Sequence, residues 1–338
     1  MSSTRSGTPA ETAAALALPP WQAALQDAVR DPGELARLVG LTPAALGPAA
    51  ATGFPLLVPR GFVARMRKGD PHDPLLRQVW PHGDELAAAP GFMADPVREQ
   101  GLAAHGLIRK YRGRVLLIAS GACPLHCRYC FRREFPYAAQ LAARGDWEPA
   151  LSELRKIDDV REAILSGGDP LSLSNRRLAE LLARLADVGL ETVRIHTRFP
   201  IAIPERVDAG LLELLGATRL RTVVVVHTNH ANELDDDVAG ALERLRAPLT
   251  ALLNQSVLLR GVNDAADTLA TLSERLFDCG VLPYYLHLLD PVSGAAHFDV
   301  AATVGRRLIE ELRTRLPGYL VPRLVRETPG ELSKTVVA

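Results

Sequence analysis

From residue 114 onward, six short apolar and β-branched runs recur along the chain. They are RVLLIAS (114–120), REAILSG (161–167), TVRIHTR (192–198), RTVVVVHT (221–228), PLTALLNQ (248–255) and LPYYLHLL (282–289). Amphipathic helical stretches such as NRRLAELLARLADVG and AADTLATLSERLFDCG lie between them. Near-continuous apolar strands alternating with helices predict a parallel sheet covered on both faces. Successive runs start about 30 residues apart, the length of one βαβ unit. Six units predict an α/β fold with an open, partial (β/α)6 barrel of TIM type. A flat doubly wound sheet is the rival.

Polar residues gather where these runs end. Cys123 follows the first; Ser166, Gly167, Gly168 and Asp169 follow the second; His196 and Arg198 close the third. His227, Thr228 and Asn229 close the fourth, Asn254 and Gln255 the fifth, and Asp290 follows the sixth. TIM-type barrels place their active sites at the C-terminal ends of the strands, so these groups are expected on one rim. His196, His227 and His230 lie there too, although a histidine at a strand end is often satisfied within the core.

Residues 1–20 read as a flexible leader, residues 21–105 as an N-terminal helical cap region, and residues 106–338 as the barrel. Within the cap, DPGELARLVGL and TPAAL each open on a helix-capping residue. Lys+Arg and Asp+Glu both number 39, so no net field draws the chain to nucleic acid or an anionic membrane. The start lacks an ordered secretory signal. No stretch approaches the roughly 18 apolar residues of a membrane helix. These features predict a cytoplasmic protein.

Of the four cysteines, Cys123, Cys127 and Cys130 fall in CPLHCRYCFRREF, spaced C-x3-C-x2-C, too close together for a disulfide framework. Three thiolates in one tight loop suit an iron–sulfur cluster with one iron left open to another ligand. The alternatives are a structural zinc site or fortuitous buried cysteines. Structural zinc closes with four ligands, and Cys279 has no nearby Cys or His companion.

The cysteine spacing after a first barrel strand, with Tyr129 just before the third cysteine, resembles the radical S-adenosylmethionine superfamily. The resemblance implies a [4Fe-4S] cluster on Cys123, Cys127 and Cys130 whose free iron binds S-adenosyl-L-methionine. It also implies an external electron donor. SGGDP at 166–170 matches that superfamily's glycine motif for the methionyl group, through Ser166, Gly167, Gly168 and Asp169. Alone, this motif is ordinary turn chemistry.

Further segments match in order: GLIRKYRGRVLLI, CRYCFRREF, SGGDPL, LLNQSVLLRGVND, YYLHLLDPVSGAAHF and PGELSK. Together they resemble the lysine 2,3-aminomutase family, whose members are isomerases. The resemblance implies that Lys334 anchors pyridoxal 5′-phosphate, with Tyr111 and Arg114 near that cofactor and Arg114 facing its phosphate. Glu331, Leu332 and Ser333 depart from the family's glycines. By itself a lysine in such a loop is an exposed tail residue.

Arg132 matches the arginine that pairs with the amino acid's carboxylate, and Asp290 one of two acids that bind a side-chain ammonium. Glu327 stands where the family has an aspartate. The bland readings are a surface charge for Arg132 and solvated loop acids for the other two. His227 and Gln255 are candidates for adenosyl or pyridoxal contacts.

MRKGDPHDPLLRQVWP and APGFMADP resemble the shorter branch of the family, which serves bacterial translation elongation factor P. The chain ends four residues after Lys334 and has none of the zinc-binding cysteines of the catabolic lysine 2,3-aminomutases. The expected activity is conversion of L-α-lysine to (R)-β-lysine, for a separate ligase that modifies elongation factor P. A catabolic role, a mutase for glutamate or ornithine, and a non-catalytic metal-binding scaffold stay open, as does a homodimer.

Overall fold

A computed structural model describes residues 18–47, 49–142 and 146–338, so the expected leader lies almost wholly outside the described residues. Ten strands form one sheet: β1 (Ala103–Ala104), β2 (Leu107–Tyr111), β3 (Arg114–Ser120), β4 (Glu162–Gly167) and β5 (Thr192–Thr197), then β6 (Arg221–His227), β7 (Ala251–Val257), β8 (Leu282–His287), β9 (Arg323–Arg326) and β10 (Thr335–Val336). Their order in the sheet is their order in the chain. A doubly wound sheet reverses strand order at a switch point, whereas a barrel does not. The flat alternative is therefore excluded.

Neighbours from β3 to β9 pair in parallel, while β1, β2 and β10 add antiparallel edges. The sheet does not close on itself: β1 and β10 are its free ends. The six predicted runs correspond to β3–β8. The four strands not predicted are short, and β1 and β10 have two residues each, too few for a period-two pattern.

Among the described residues the six longer crossover helices are α1 (Glu148–Leu154), α2 (Asn175–Asp187), α3 (Ala209–Ala217), α4 (Asp236–Arg246), α5 (Ala266–Asp278) and α6 (Ala302–Arg315). Helix α2 shows why they pack. Ser174 caps it by accepting from Arg177 N at 3.3 Å, and Leu178, Leu181, Leu182 and Leu185 form one buried stripe.

The segment before β1 folds into short helices, including Pro20–Gln26, Pro32–Leu38 and Pro74–Arg77. Asp31 and Thr42 cap helices at the two places read from sequence. The apolar core is continuous from Trp21 through Trp80 into the strands and α2–α4. Trp21 meets Phe199 edge-on at 5.6 Å, and the guanidinium of Arg206 covers the Trp21 ring at 4.9 Å. No described helix is long and apolar enough to cross a membrane.

Candidate active site

A cavity of about 930 Å³ opens inside the barrel and reaches the strand ends. Each candidate cofactor, metal and substrate residue, from Tyr111 to Lys334, lines it. That size is ordinary for a ligand site. His230 does not line it: its Nδ1 accepts from Asn232 N at 3.1 Å, capping a short turn.

The cysteine loop is moulded by the chain that precedes the sheet. His126 N donates to Leu57 O at 3.0 Å and Arg128 N to Gln78 O at 2.9 Å. The Arg128 side chain, fully buried, reaches Glu85 through two bonds, at 2.7 Å from Nε and 2.5 Å from Nη2. It also donates to Phe54 O and Thr52 Oγ1, both at 2.9 Å. A buried arginine holds only with such complete pairing. Arg128 thus points away from the cavity, and the three thiols line it.

Burial pushes the Cys123 thiol well up, and burial followed by the neighbouring Cys127 pushes Cys130 up to about 11. Bound cations invert that preference, because a coordinating thiol gives up its proton. Among the described residues, no three His, Cys, Asp or Glu side chains converge on a single ion position. A cluster needs no such convergence, since each cysteine binds a different iron. The donor set suits a cluster. Cys279 is the C-cap residue of α5 and is buried in the core, apart from these three.

Gly167 and Gly168 step from β4 onto the entrance of the loop. Gly167 has φ +117°, and a Cβ there would lie 2.4 Å from Ser120 O; one on Gly168 would lie 2.5 Å from Ala122 O. Gly168 N and Asp169 N donate to those same two carbonyls at 2.7 Å. Only glycine permits this approach. The Asp169 carboxylate accepts from Leu171 N, Thr197 Oγ1 and Arg198 N. Burial raises it to about 6 against those bonds. Its side chain braces the ends of β4 and β5.

At the other end of the chain, Lys334 lies between β9 and β10 and lines the same cavity as the cysteines. Its Nζ donates to Glu327 Oε2 at 2.5 Å. Glu327 Oε1 accepts from the Tyr111 hydroxyl at 2.5 Å and from Lys110 Nζ at 3.3 Å. Those two partners sit on β2, so side chains bridge the gap that backbone pairing leaves between the sheet's opposite edges. Arg114 stacks on the Tyr111 ring at 4.5 Å.

Asp290 faces this cluster with no side-chain hydrogen bond among the described residues, and burial pushes its carboxyl up to about 7. Burial likewise drives His196 well down and His287 down to about 3, so both are neutral. The Nε2 atoms of both are buried without a partner. Gln255 Nε2 lies 3.4 Å from His196 Nδ1, and His227 Nε2 lies 2.9 Å from the Tyr129 hydroxyl.

Arg132 is buried, and its fork is filled by a residue that sequence reasoning missed. Glu99 receives Nε at 2.6 Å and Nη2 at 3.0 Å, while Nη1 donates to Ser166 Oγ at 2.7 Å. Lys110 Nζ is 3.1 Å from Glu99. Glu99 lies outside every quoted motif and Lys110 is one position of GLIRKYRGRVLLI; the fold brings them in, Lys110 from β2 and Glu99 from the segment before β1. His287 was legible, two residues inside the end of the sixth run, but was not singled out.

A parallel barrel in chain order, with thiols, a glycine step, paired acids and a lysine amine on one internal cavity, defines an α/β-barrel enzyme. No protein-family model matches the chain. It is 48% identical over 319 residues to L-lysine 2,3-aminomutase of Escherichia coli K12, covering 93% of each chain. It is 42% identical to the same-named protein of Haemophilus influenzae, covering 94% of this chain and 95% of the other. With that of Clostridium subterminale it shares 34% identity over 82% of this chain and 67% of the relative. The chain belongs to the L-lysine 2,3-aminomutase family, and it is an isomerase by that membership.

Proposed function

We propose that the chain converts L-α-lysine to (R)-β-lysine with a [4Fe-4S] cluster, S-adenosyl-L-methionine and pyridoxal 5′-phosphate. The observation that carries this reading is the shared cavity of Cys123, Cys127, Cys130 and Lys334. When bound, the first two cofactors supply a carbon-centred radical and the third a π-system through which an amino nitrogen can move.

The three cysteines hold the cluster and leave one iron for S-adenosyl-L-methionine, beside the backbone of Gly167 and Gly168. Lys334 is the anchoring amine for pyridoxal phosphate, and Glu327 orients it. Arg114 meets the phosphate. His196 and His287, neutral and with unpartnered Nε2 atoms, offer hydrogen bonds without adding charge.

Asp290 is the seat of the substrate's side-chain ammonium: a carboxyl raised by burial returns to its charged form when a cation docks against it. Arg132 takes the substrate carboxylate, through Nη1 or after Glu99 turns aside. Apolar lining excludes water from a reactive centre. Asp290, a cavity acid whose carboxylate has no hydrogen-bond partner among the described residues, favours a cationic side chain over glutamate.

For the biological role we propose supply of (R)-β-lysine to a ligase that modifies elongation factor P, with an external donor reducing the cluster. The resemblance to the shorter branch over residues 66–81 and 89–96 supports it. The test is anaerobic reconstitution with iron and sulfide, then incubation with L-lysine while omitting each cofactor in turn. β-Lysine is expected only from the complete mixture. A reconstituted protein that makes none, or prefers glutamate, would overturn the assignment. Mass spectrometry of elongation factor P from a strain lacking this chain tests the role: the β-lysyl adduct is expected to disappear.

A further inference from the structure

We infer that Arg198 is a positioning residue for the iron–sulfur centre: it donates a charge-assisted hydrogen bond to the Cys127 sulfur and biases the centre toward its reduced state. This rests on the reading that the three cysteines hold a cluster.

Arg198 follows β5 directly, and its backbone N–H is held by the Asp169 carboxylate at 2.6 Å. Its Nη1 lies 2.7 Å from Cys127 Sγ and also donates to the Tyr129 hydroxyl. Nη2 donates to Gln78 Oε1 at 2.8 Å and Glu233 Oε2 at 3.0 Å. Glu233 is itself fully buried and fixed by Asn229 N at 3.0 Å and Gln78 Nε2 at 3.0 Å. Gln78 and Glu233, which hold Nη2, are therefore fixed in turn.

Such an arrangement is costly to build. Arg198 is 6% exposed, and Glu233 offsets its charge. The ion pair alone explains one edge of the guanidinium; the other edge is aimed at a sulfur. Among the described residues, the Cys130 sulfur takes the Arg132 backbone N–H and no side chain donates to Cys123 or Cys130, so Cys127 alone receives a charged donor. Reduction adds one negative charge to a cluster and its sulfurs. A fixed cationic donor at 2.7 Å stabilises that charge more than the oxidised state's, and hydrogen bonds to sulfur are an established lever on cluster potential.

The experiment uses full-length protein labelled with arginine carrying ¹⁵N only in the guanidinium, so that the backbone nitrogens of Arg128, Arg132 and Arg133 stay silent, reconstituted anaerobically and reduced with dithionite. Pulsed electron paramagnetic resonance is expected to show ¹⁵N hyperfine coupling to the reduced cluster, absent in Arg198→Lys. That variant should need a more negative potential, by a tenfold change in the reduction equilibrium or more, about 59 mV for one electron. A reduced wild-type cluster without ¹⁵N coupling overturns the inference, whether or not the variant folds. So does coupling that persists in Arg198→Lys, or an unmoved midpoint. Failure of wild-type protein to assemble any cluster instead removes the cluster reading, and this inference with it.

Discussion

Lys334 Nζ and Glu327 Oε2 lie 2.5 Å apart, and the same carboxylate accepts from Tyr111 and Lys110 on the far edge of the sheet. One acid thus orients the proposed anchoring amine and ties both edges of the barrel together. The two tasks can be separated experimentally.

Burial acts upward on Glu327, but Lys334 and then Lys110 outweigh it and hold the carboxyl at about 2, below the usual 4.5. A folded-state value below the unfolded one adds stability that is complete above pH 4.5 and is lost as pH falls toward 2. Glu327→Gln should therefore flatten the acid limb of a plot of Tm against pH, by an amount worth at most about 3 kcal/mol. Parallel wild-type and variant limbs would contradict the pairing.

Asp290 carries the opposite sign. Its folded value of about 7 exceeds the usual 3.8, so its charge destabilises the unliganded protein increasingly from pH 3.8 to about 7, then levels off. Asp290→Asn is expected to melt higher than wild type at pH 8, with no gain at pH 4. The same variant should raise KM for lysine by roughly tenfold or more, because a charged hydrogen bond is lost. A variant that is less stable at pH 8 would show that Asp290 is paired after all.

Removing the amine tests the second cofactor. Lys334→Ala should fail to retain pyridoxal phosphate through gel filtration, read by its visible absorbance, and lose about 10³-fold or more in turnover. Iron and sulfide content should be unchanged. Retained chromophore in the variant would move the anchoring role elsewhere.

Gly168→Ala places a Cβ 2.5 Å from Ala122 O, with backbone on both sides and no flexible side chain to yield. A loss of about 1–3 kcal/mol in urea unfolding is expected, together with reduced cluster uptake, since the displaced carbonyl belongs to the residue before Cys123. Wild-type uptake would separate the glycine step from the loop.

Arg128→Met leaves Glu85 with Arg133 alone. Breaking a buried pair costs about 3–5 kcal/mol, so the urea midpoint should fall markedly and the cysteine loop should become protease-sensitive. An unchanged midpoint would mean that the pair contributes nothing to the mould.

Strands β3–β8 were legible because each carries a run of apolar residues that only a doubly covered strand needs. Helix α2 and the caps at Asp31 and Thr42 were legible from local chemistry. What sequence did not reveal is long-range pairing between unlike elements. Glu99 fills the fork of Arg132 from 33 positions upstream, and Glu85 meets Arg128 across 43. No periodicity records such meetings. The acids at 290 and 327 looked alike in sequence. Among the described residues the fold leaves the Asp290 carboxylate without a hydrogen-bond partner, while that of Glu327 takes three.

The barrel's opening is spanned by a seam made of a carboxylate, two ammonium groups and a phenol. The threads that cross it are those from Tyr111 and Lys110, so a second carboxylate competing for Lys110 would withdraw one, while a ligand that engages Lys334 leaves both in place. What spans the gap between β2 and β9 is therefore side-chain charge rather than backbone, and its strength answers to the company Lys110 keeps.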